Sequence, residues 1–287
     1  MSAVLTRTDR YARWREHKLA AYPRCAQDLI VEVRDPGNLT DSEVAKLQQL
    51  CARANMAVYA SPRADPADKD IVRRVGARLG LHRLQANPFA DENGISALEA
   101  APEKSARGYI PYSNRRLLWH TDGYYNPPAQ RIHAFILHCV RPAAAGGENR
   151  LLDHEIAYLL LRDENPEHVR ALSAPDAMTI PANTDEDMPR PAQTGPVFSE
   201  DGGALHMRYT ARTRSIEWRA DAATRAAVER LREILEAPSP YVFALRLAPG
   251  QGLVCNNVLH DRSAFGDAPG AGRLVYRARY LERIAAS

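Results

Sequence analysis

Residues 241–280 read YVFALRLAPGQGLVCNNVLHDRSAFGDAPGAGRLVYRARY, and three extended runs lie in them: Tyr241–Leu247, Gly252–Cys255 and Leu274–Tyr280. Turns rich in Pro, Gly and Asn join the runs, with no helical period between them. Strands that follow one another without a helix do not build a parallel βαβ sheet.

Working back from this stretch, Asp221–Glu236 places Ala223, Ala227, Leu231 and Leu235 on one helical face. Two short strands precede it, Val197–Ser199 and Ala204–Thr210. Before those, residues 181–195 hold Pro181, Pro189 and Pro191, with Pro196 just beyond, among acidic residues. A long loop of this kind in a compact domain reads as a lid. Ile132–Val140 is almost continuously apolar, the pattern of a buried strand. Gly146 and Gly147 make a turn, Ile156–Leu161 a short helix, and Asn165-Pro166-Glu167 opens another.

The front of the chain carries more helix. Leu29–Val33 is a strand. TDSE at 40–43 is a capping box for a helix to about residue 54. Met56–Ala60 is β-like, and Asp65-Pro66 opens a helix that Gly80 ends. Residues 86–118 are turn-rich, and residues 1–28 read as a polar surface extension. The expectation is an α+β chain, one domain over residues 1–287, with a double-stranded β-helix (jelly-roll) core and flanking helices. No G-x-G-x-x-G follows a strand, which speaks against a dinucleotide fold.

The 287 residues are 45% hydrophobic and 25% charged, a globular balance. The 38 basic and 35 acidic residues are interspersed and leave a net charge of +3. Without a basic block, nucleic acid is not the expected partner. No run of about 18 apolar residues predicts a membrane span, and the N-terminus lacks the apolar core of a signal peptide. Cys25, Cys51, Cys139 and Cys255 form no CxxC pair, which fits free thiols in the cytoplasm. A homo-oligomer is left open.

The chemistry is carried by His120 and Asp122 in WHTDGYYN and by His260 in CNNVLHDRSAF. On an extended segment the period of two puts His120 and Asp122 on one face. His260 follows the β-like run VCNNV, at a strand end. Two imidazoles and a carboxylate leave the open metal positions that a non-haem Fe(II) oxygenase needs. Arg273 lies thirteen residues after His260, on a returning strand, and suits bidentate capture of a carboxylate. His133 and His138, at odd spacing, read as core or edge residues, and Cys255 as a buried apolar one.

WHTDGYYN, PAAAGGEN at 142–149, and PGQGLVCNNVLHDRSAF followed by RLVYRARY resemble, in order and spacing over residues 107–283, the TauD/TfdA family of Fe(II)/2-oxoglutarate-dependent dioxygenases. That resemblance implies His120, Asp122 and His260 as iron ligands. It implies Arg273 on the distal carboxylate of 2-oxoglutarate, and Arg277 as a second arginine for co-substrate or substrate. The family commonly has Thr where this chain has Asn149, whose amide can donate the same hydrogen bond. Fe(II), 2-oxoglutarate and O2 are the implied cofactors.

The substrate candidates are Tyr109, Tyr112 and Asn114, then Tyr124 and Tyr125, then His206, Arg208, Tyr209 and Arg212. A basic, tyrosine-lined pocket suits a small anion or zwitterion. Two other readings stay open on the residues alone. One is a zinc or other metal hydrolase on the same triad, although no HExxH is present and Arg273 would lack a task. The other is a jelly-roll protein that binds a small ligand without turnover.

Overall fold

Alternation along the last strand, β17 (Leu274–Tyr280), organises the sheet around it. The computed structural model describes residues 8–62, 68–85, 94–100, 110–184 and 189–284. They belong to two compact units, the first made of Pro23–Leu117, Ile132–Leu151 and Phe243–Ser287. In that unit β1 (Ile30–Glu32), β2 (Met56–Ala60), β3 (Ser96–Leu98), β5 (Ala134–Arg141), β14 (Gln251–Cys255) and β17 form one sheet, ordered β1-β2-β14-β5-β17-β3. β17 and β14 both run antiparallel to β5.

One face of this sheet carries Ala57, Tyr59, Ala134, Ile136, Val254, Tyr276, Ala278 and Tyr280. These residues pack with Val44, Leu47 and Cys51 of α2 (Asp41–Ala54) and with Ile71, Val72 and Val75 of α3 (Ile71–Arg78). The other face follows from the register: Arg277 lies opposite Leu137, Arg279 opposite Phe135, and Phe135 opposite Cys255. Both faces of β5 are therefore buried, which is why its sequence is apolar without alternation. The Tyr59 ring lies so close over Gly252 that a Cβ there would stand 2.1 Å from a ring carbon.

The capping box forms as read. Thr40 N–H donates to Glu43 Oε2 (2.7 Å), and Glu43 N–H donates to Thr40 Oγ1 (3.3 Å). α2 ends on Asn55 in the left-handed region (φ 57°). α3 starts at Ile71; Asp65 and Pro66, where the sequence reading opens this helix, lie outside the described residues.

His138 is fully buried beneath this helical layer, with Nδ1 2.9 Å from the Tyr59 hydroxyl. Burial pushes its pKa down to about 4. The folded protein holds this ring neutral, so its contribution is complete above pH 6.5 and drains away as the pH falls toward 4. Wild type should lose about 2 kcal/mol more stability than His138→Leu between pH 6.5 and pH 5. Denaturant titrations at the two pH values check this, and equal losses would remove His138 as the cause.

A second sheet of the same unit takes β13 (Phe243–Leu245), β7 (Asn149–Leu152) and β15 (Leu259–Arg262) in the order β13-β7-β15. The chain leaves β14 and enters β15 through Asn256 and Asn257. Asn257 sits at φ 50°, a conformation Asn tolerates better than most residues. Its Nδ2 donates to Ile132 O (2.7 Å), while Asn256 N–H donates to Asn55 O (2.7 Å). His260 is thus not the end of the VCNNV strand. It lies inside a strand of its own, because the two asparagines break the run and start a new direction.

The second unit comprises Met1–Tyr22, Leu118–Arg131 and Leu152–Val242. It contains α1 (Thr8–Ala20), α4 (His154–Glu164), α5 (Pro166–Leu172) and α6 (Ala222–Glu236). Asp153, Asn165 and Asp221 cap α4, α5 and α6, accepting from Glu155, Glu167 and Thr224 N–H groups at 2.9–3.0 Å. β8 (Met178–Ile180), β9 (Gln193–Gly195) and β12 (Glu217–Trp218) form a sheet ordered β12-β8-β9. β10 (Phe198–Asp201) pairs with β11 (Ala204–Met207) as a hairpin.

The proline-rich segment 181–195 is a hairpin at its base, with β9 inside the stretch the sequence reading leaves as loop. Asn183 and Arg190 exchange both backbone hydrogen bonds (2.8 and 2.9 Å). Residues 185–188 of the expected lid lie outside the described residues.

The N-terminal stretch read as a surface extension contributes a buried cation. Lys18 of α1 is 5% exposed and lies 2.6 Å from Asp153 and 2.5 Å from Glu155. Burial works against its charge, but the two carboxylates outweigh it and raise the pKa. Lys18→Met would leave Asp153 buried without its cation, and should cost about 3 kcal/mol in denaturant unfolding. A loss under about 1 kcal/mol would mean the pair is screened like a surface one.

Candidate metal centre and co-substrate site

β4 (Leu117–His120) ends on the first histidine. The neighbouring segment 209–211 grips this end: Thr121 N–H donates to Tyr209 O (3.0 Å), and Ala211 N–H donates to Trp119 O (2.8 Å). Backbone pairing of His120 with Thr210 lies between them. The chain then turns at Gly123 (φ 68°). Asp122 therefore stands in the turn rather than on a continued strand, and the turn brings its Oδ1 to 3.7 Å from His120 Nε2.

Both histidines are oriented by one device. His120 Nδ1 lies 2.8 Å from Leu118 O, and His260 Nδ1 lies 2.9 Å from Val258 O, each two residues back. A carbonyl oxygen only accepts, so Nδ1 must carry the proton and Nε2 the lone pair. The His260 ring also rests against Phe135, 4.7 Å between centroids. One ligand atom from each of His120, Asp122 and His260 lies within 4.8 Å of the other two, and all three side chains are buried.

The residues about Arg273 pack around a glycine turn. Gly146 adopts φ 69°, and a Cβ there would stand 2.2 Å from Ala264 O. The glycine turn lets β6 (Ala145–Gly146) pair with β16 (Phe265–Gly266). A Cβ on Gly147 would come within 3.9 Å of the Arg273 side chain. Arg273 is 5% exposed, its guanidinium 5.4 Å from the Phe265 ring centre, and its Nη1 has no hydrogen-bond partner among the described residues. Burial lowers its pKa. A buried guanidinium nitrogen with an unused donor fits a carboxylate ligand.

Arg262 is a residue that sequence reasoning missed. It lies two positions after His260, so the strand period puts it on the same side of β15. It donates to Ser113 O and Arg115 O (2.7 Å each) and stacks on Phe265 at 4.8 Å. Burial, then the charge of Arg273, lowers its pKa to about 9. It holds the 111–115 segment against β15. The H-x-R spacing was its only signal.

The remaining candidates divide. Asn149 is buried at the start of β7, two residues past the glycine turn. Arg277 is buried on the Leu137 face of its sheet. Tyr112 is buried, whereas Asn114 is exposed and uses its carbonyl to accept from Phe265 N–H (3.0 Å). Tyr109 lies outside the described residues.

Tyr124 bonds Thr210 and Arg212, and burial raises its pKa. Tyr125 stands edge-on to it at 5.1 Å. His206 is buried on β11. Arg208 donates to the carbonyls of Gln193, Met178 and Gly195 (3.2, 2.7 and 3.1 Å) and clamps the β8–β9 hairpin.

Residues 18–279 match the family model described as taurine catabolism dioxygenase TauD, TfdA family. The chain belongs to the TauD/TfdA family. This TauD/TfdA protein is 37% identical over 221 residues to a uridine-5'-phosphate dioxygenase of Amycolatopsis, covering 73% of this chain and 74% of the relative. It is 34% identical over 166 residues to a Streptomyces protein of the same name, covering 56% and 60%.

Among solved structures, it is similar to an asparagine oxygenase bound to Fe(II), hydroxyasparagine and succinate. That match has a TM-score of 0.61 at 15% identity and covers 93% and 91% of the two chains. A non-haem iron oxygenase, OrfP, with iron, succinate and hydroxyarginine matches with a TM-score of 0.64 at 14% identity, covering 86% and 82%. At these identities the structural matches speak for the fold.

The TauD/TfdA chain is an Fe(II)- and 2-oxoglutarate-dependent dioxygenase that uses O2 to oxidise a small substrate. The hydrolase and the non-catalytic readings fall with that membership. Among the described residues, no helix is long and apolar enough to cross a membrane.

Proposed function

We propose that His120, Asp122 and His260 hold the iron, that Arg273 receives the distal carboxylate of 2-oxoglutarate, and that the substrate is a small anion of the nucleoside monophosphate class. The matched Nδ1 contacts of the two histidines support the first assignment, since they leave each Nε2 lone pair for a metal, and Asp122 groups with the two rings. The unused buried donor on Arg273 supports the second. The name of the Amycolatopsis relative, with the arginines and tyrosines around the turn after Asp122, supports the third.

Iron with 2-oxoglutarate and O2 supplies the oxidant, and succinate and CO2 leave as co-products. The chain's own part is positional. The main-chain carbonyls fix both imidazoles, and Arg273 with the Asn149 amide orients the co-substrate. Arg277 offers a second cation on the Leu137 face. Phe135 and Phe265 keep the surroundings apolar, which strengthens each charged contact.

We read the mainly antiparallel sheets as a jelly-roll core acting as one catalytic domain, and place it in the cytoplasm on its cysteines, which form no disulfide among the described residues. Under anaerobic conditions, Fe(II) followed by 2-oxoglutarate should give the weak visible charge-transfer band of the chelate. In air, uridine 5'-phosphate should raise succinate release above the substrate-free rate. A band without that response keeps the metal assignment and discards the substrate class.

A further inference from the structure

Beside the turn that carries Asp122 stands a pair of tyrosines with a guanidinium at each end. Arg212 bonds the Tyr124 hydroxyl, which also bonds Thr210, the residue paired with His120. Tyr124 and Tyr125 meet edge-on at 5.1 Å. At the far end the Arg190 guanidinium lies over the Tyr125 ring, 5.5 Å from its centre. The sequence reading does not single out Arg190, since nothing in a proline-rich loop marks one arginine among many.

Arg190 is held in place from behind. Its backbone closes the hairpin against Asn183, and its Nη2 donates to Pro181 O (3.0 Å). No carboxylate pairs with it among the described residues. Its charge is partly buried, and burial lowers its pKa. A fixed guanidinium on an aromatic platform, with no carboxylate partner among the described residues, is suited to an anion with several oxygens. The Tyr125 ring beneath it follows Asp122 by three residues, and Arg273 is assigned to 2-oxoglutarate, so we assign this anion to the oxidised molecule.

We propose that Arg190, seated on Tyr125 just beyond the paired strands of the β8–β9 hairpin, determines substrate specificity by receiving the phosphoryl group of the substrate. The inference rests on the metal and co-substrate assignment above and names the residue behind its substrate class. It makes the enzyme selective for a phosphorylated nucleoside over the same nucleoside without phosphate. The selectivity resides in one side chain outside the metal and co-substrate groups.

The test uses the anaerobic complex with Fe(II) and 2-oxoglutarate, titrated with uridine 5'-phosphate or with uridine, reading the change in the visible band. Wild type should prefer the phosphate ester. Arg190→Gln should form the same band with Fe(II) and 2-oxoglutarate but bind uridine 5'-phosphate at least about tenfold more weakly, with uridine unaffected. Arg190→Lys should recover part of the loss, because it restores the charge without the fork. The same loss for both ligands would mean a packing role and overturn the proposal, as would no loss for either. A wild-type band that ignores uridine 5'-phosphate also overturns it, leaving the metal assignment standing. No band at all fails that assignment itself.

Discussion

His260→Ala is expected to bring bound iron from about one equivalent to near zero and to lower substrate-dependent succinate release by more than about a thousandfold, since the metal carries the chemistry. The fold should persist. The ring lies on a short strand and is tied to the carbonyl two residues back. Removing it costs that hydrogen bond and a cavity against Phe135, about 1–3 kcal/mol. His260→Gln keeps more of the volume and separates cavity effects from ligand loss. Metal analysis of the reconstituted protein, beside its circular dichroism, decides the matter. Full iron stoichiometry in a folded His260→Ala protein would take His260 out of the metal site.

The second large effect belongs to Arg273. Arg273→Met should raise the KM for 2-oxoglutarate about a hundredfold, because a desolvated charge pair loses one partner. Iron affinity without 2-oxoglutarate should not move. Arg273→Lys should restore only part, since an ammonium cannot give two parallel donors to a carboxylate.

Stability gives an independent readout of opposite sign. In the metal-free protein Arg273 is a buried cation with an unused donor. Replacing it by an apolar side chain of similar length should raise unfolding stability by about 1 kcal/mol or more. A KM within about threefold of wild type, or a clear loss of stability, would make Arg273 a structural arginine.

Much of the frame was legible because it rests on local chemistry. The α2 capping box, the apolar run of β5 and the alternation of β17 are local, and they are found where the residues place them. β15 was not legible. Its four residues, LHDR, look like a loop on composition, and only pairing across the sheet makes them a strand. β8 and β9 hide for the same reason, being three residues each beside a run of prolines.

Within the site, the histidines and Asp122 stand out by type and spacing, and Arg273 by its place on a returning strand. Arg190, Arg262 and Arg208 do not, because arginine abounds in this chain. What separates these three is what their guanidinium groups meet: a tyrosine ring, a phenylalanine ring with two carbonyls, or carbonyls alone. That is long-range geometry, which a single sequence does not express.

The two histidines give their Nδ1 protons to the main chain, and this limits how the protein can be altered. Where a metal-bound imidazole leans on a carboxylate side chain, replacing that partner changes the ring's basicity, and evolution or an engineer can adjust the metal in single steps. A peptide carbonyl is present whatever residue occupies the position. Substitutions at Leu118 or Val258 therefore leave the acceptor in place. The electronic character of the two imidazoles is inherited with the backbone path itself, so variation among descendants of this chain is expected to collect in the residues that choose the substrate.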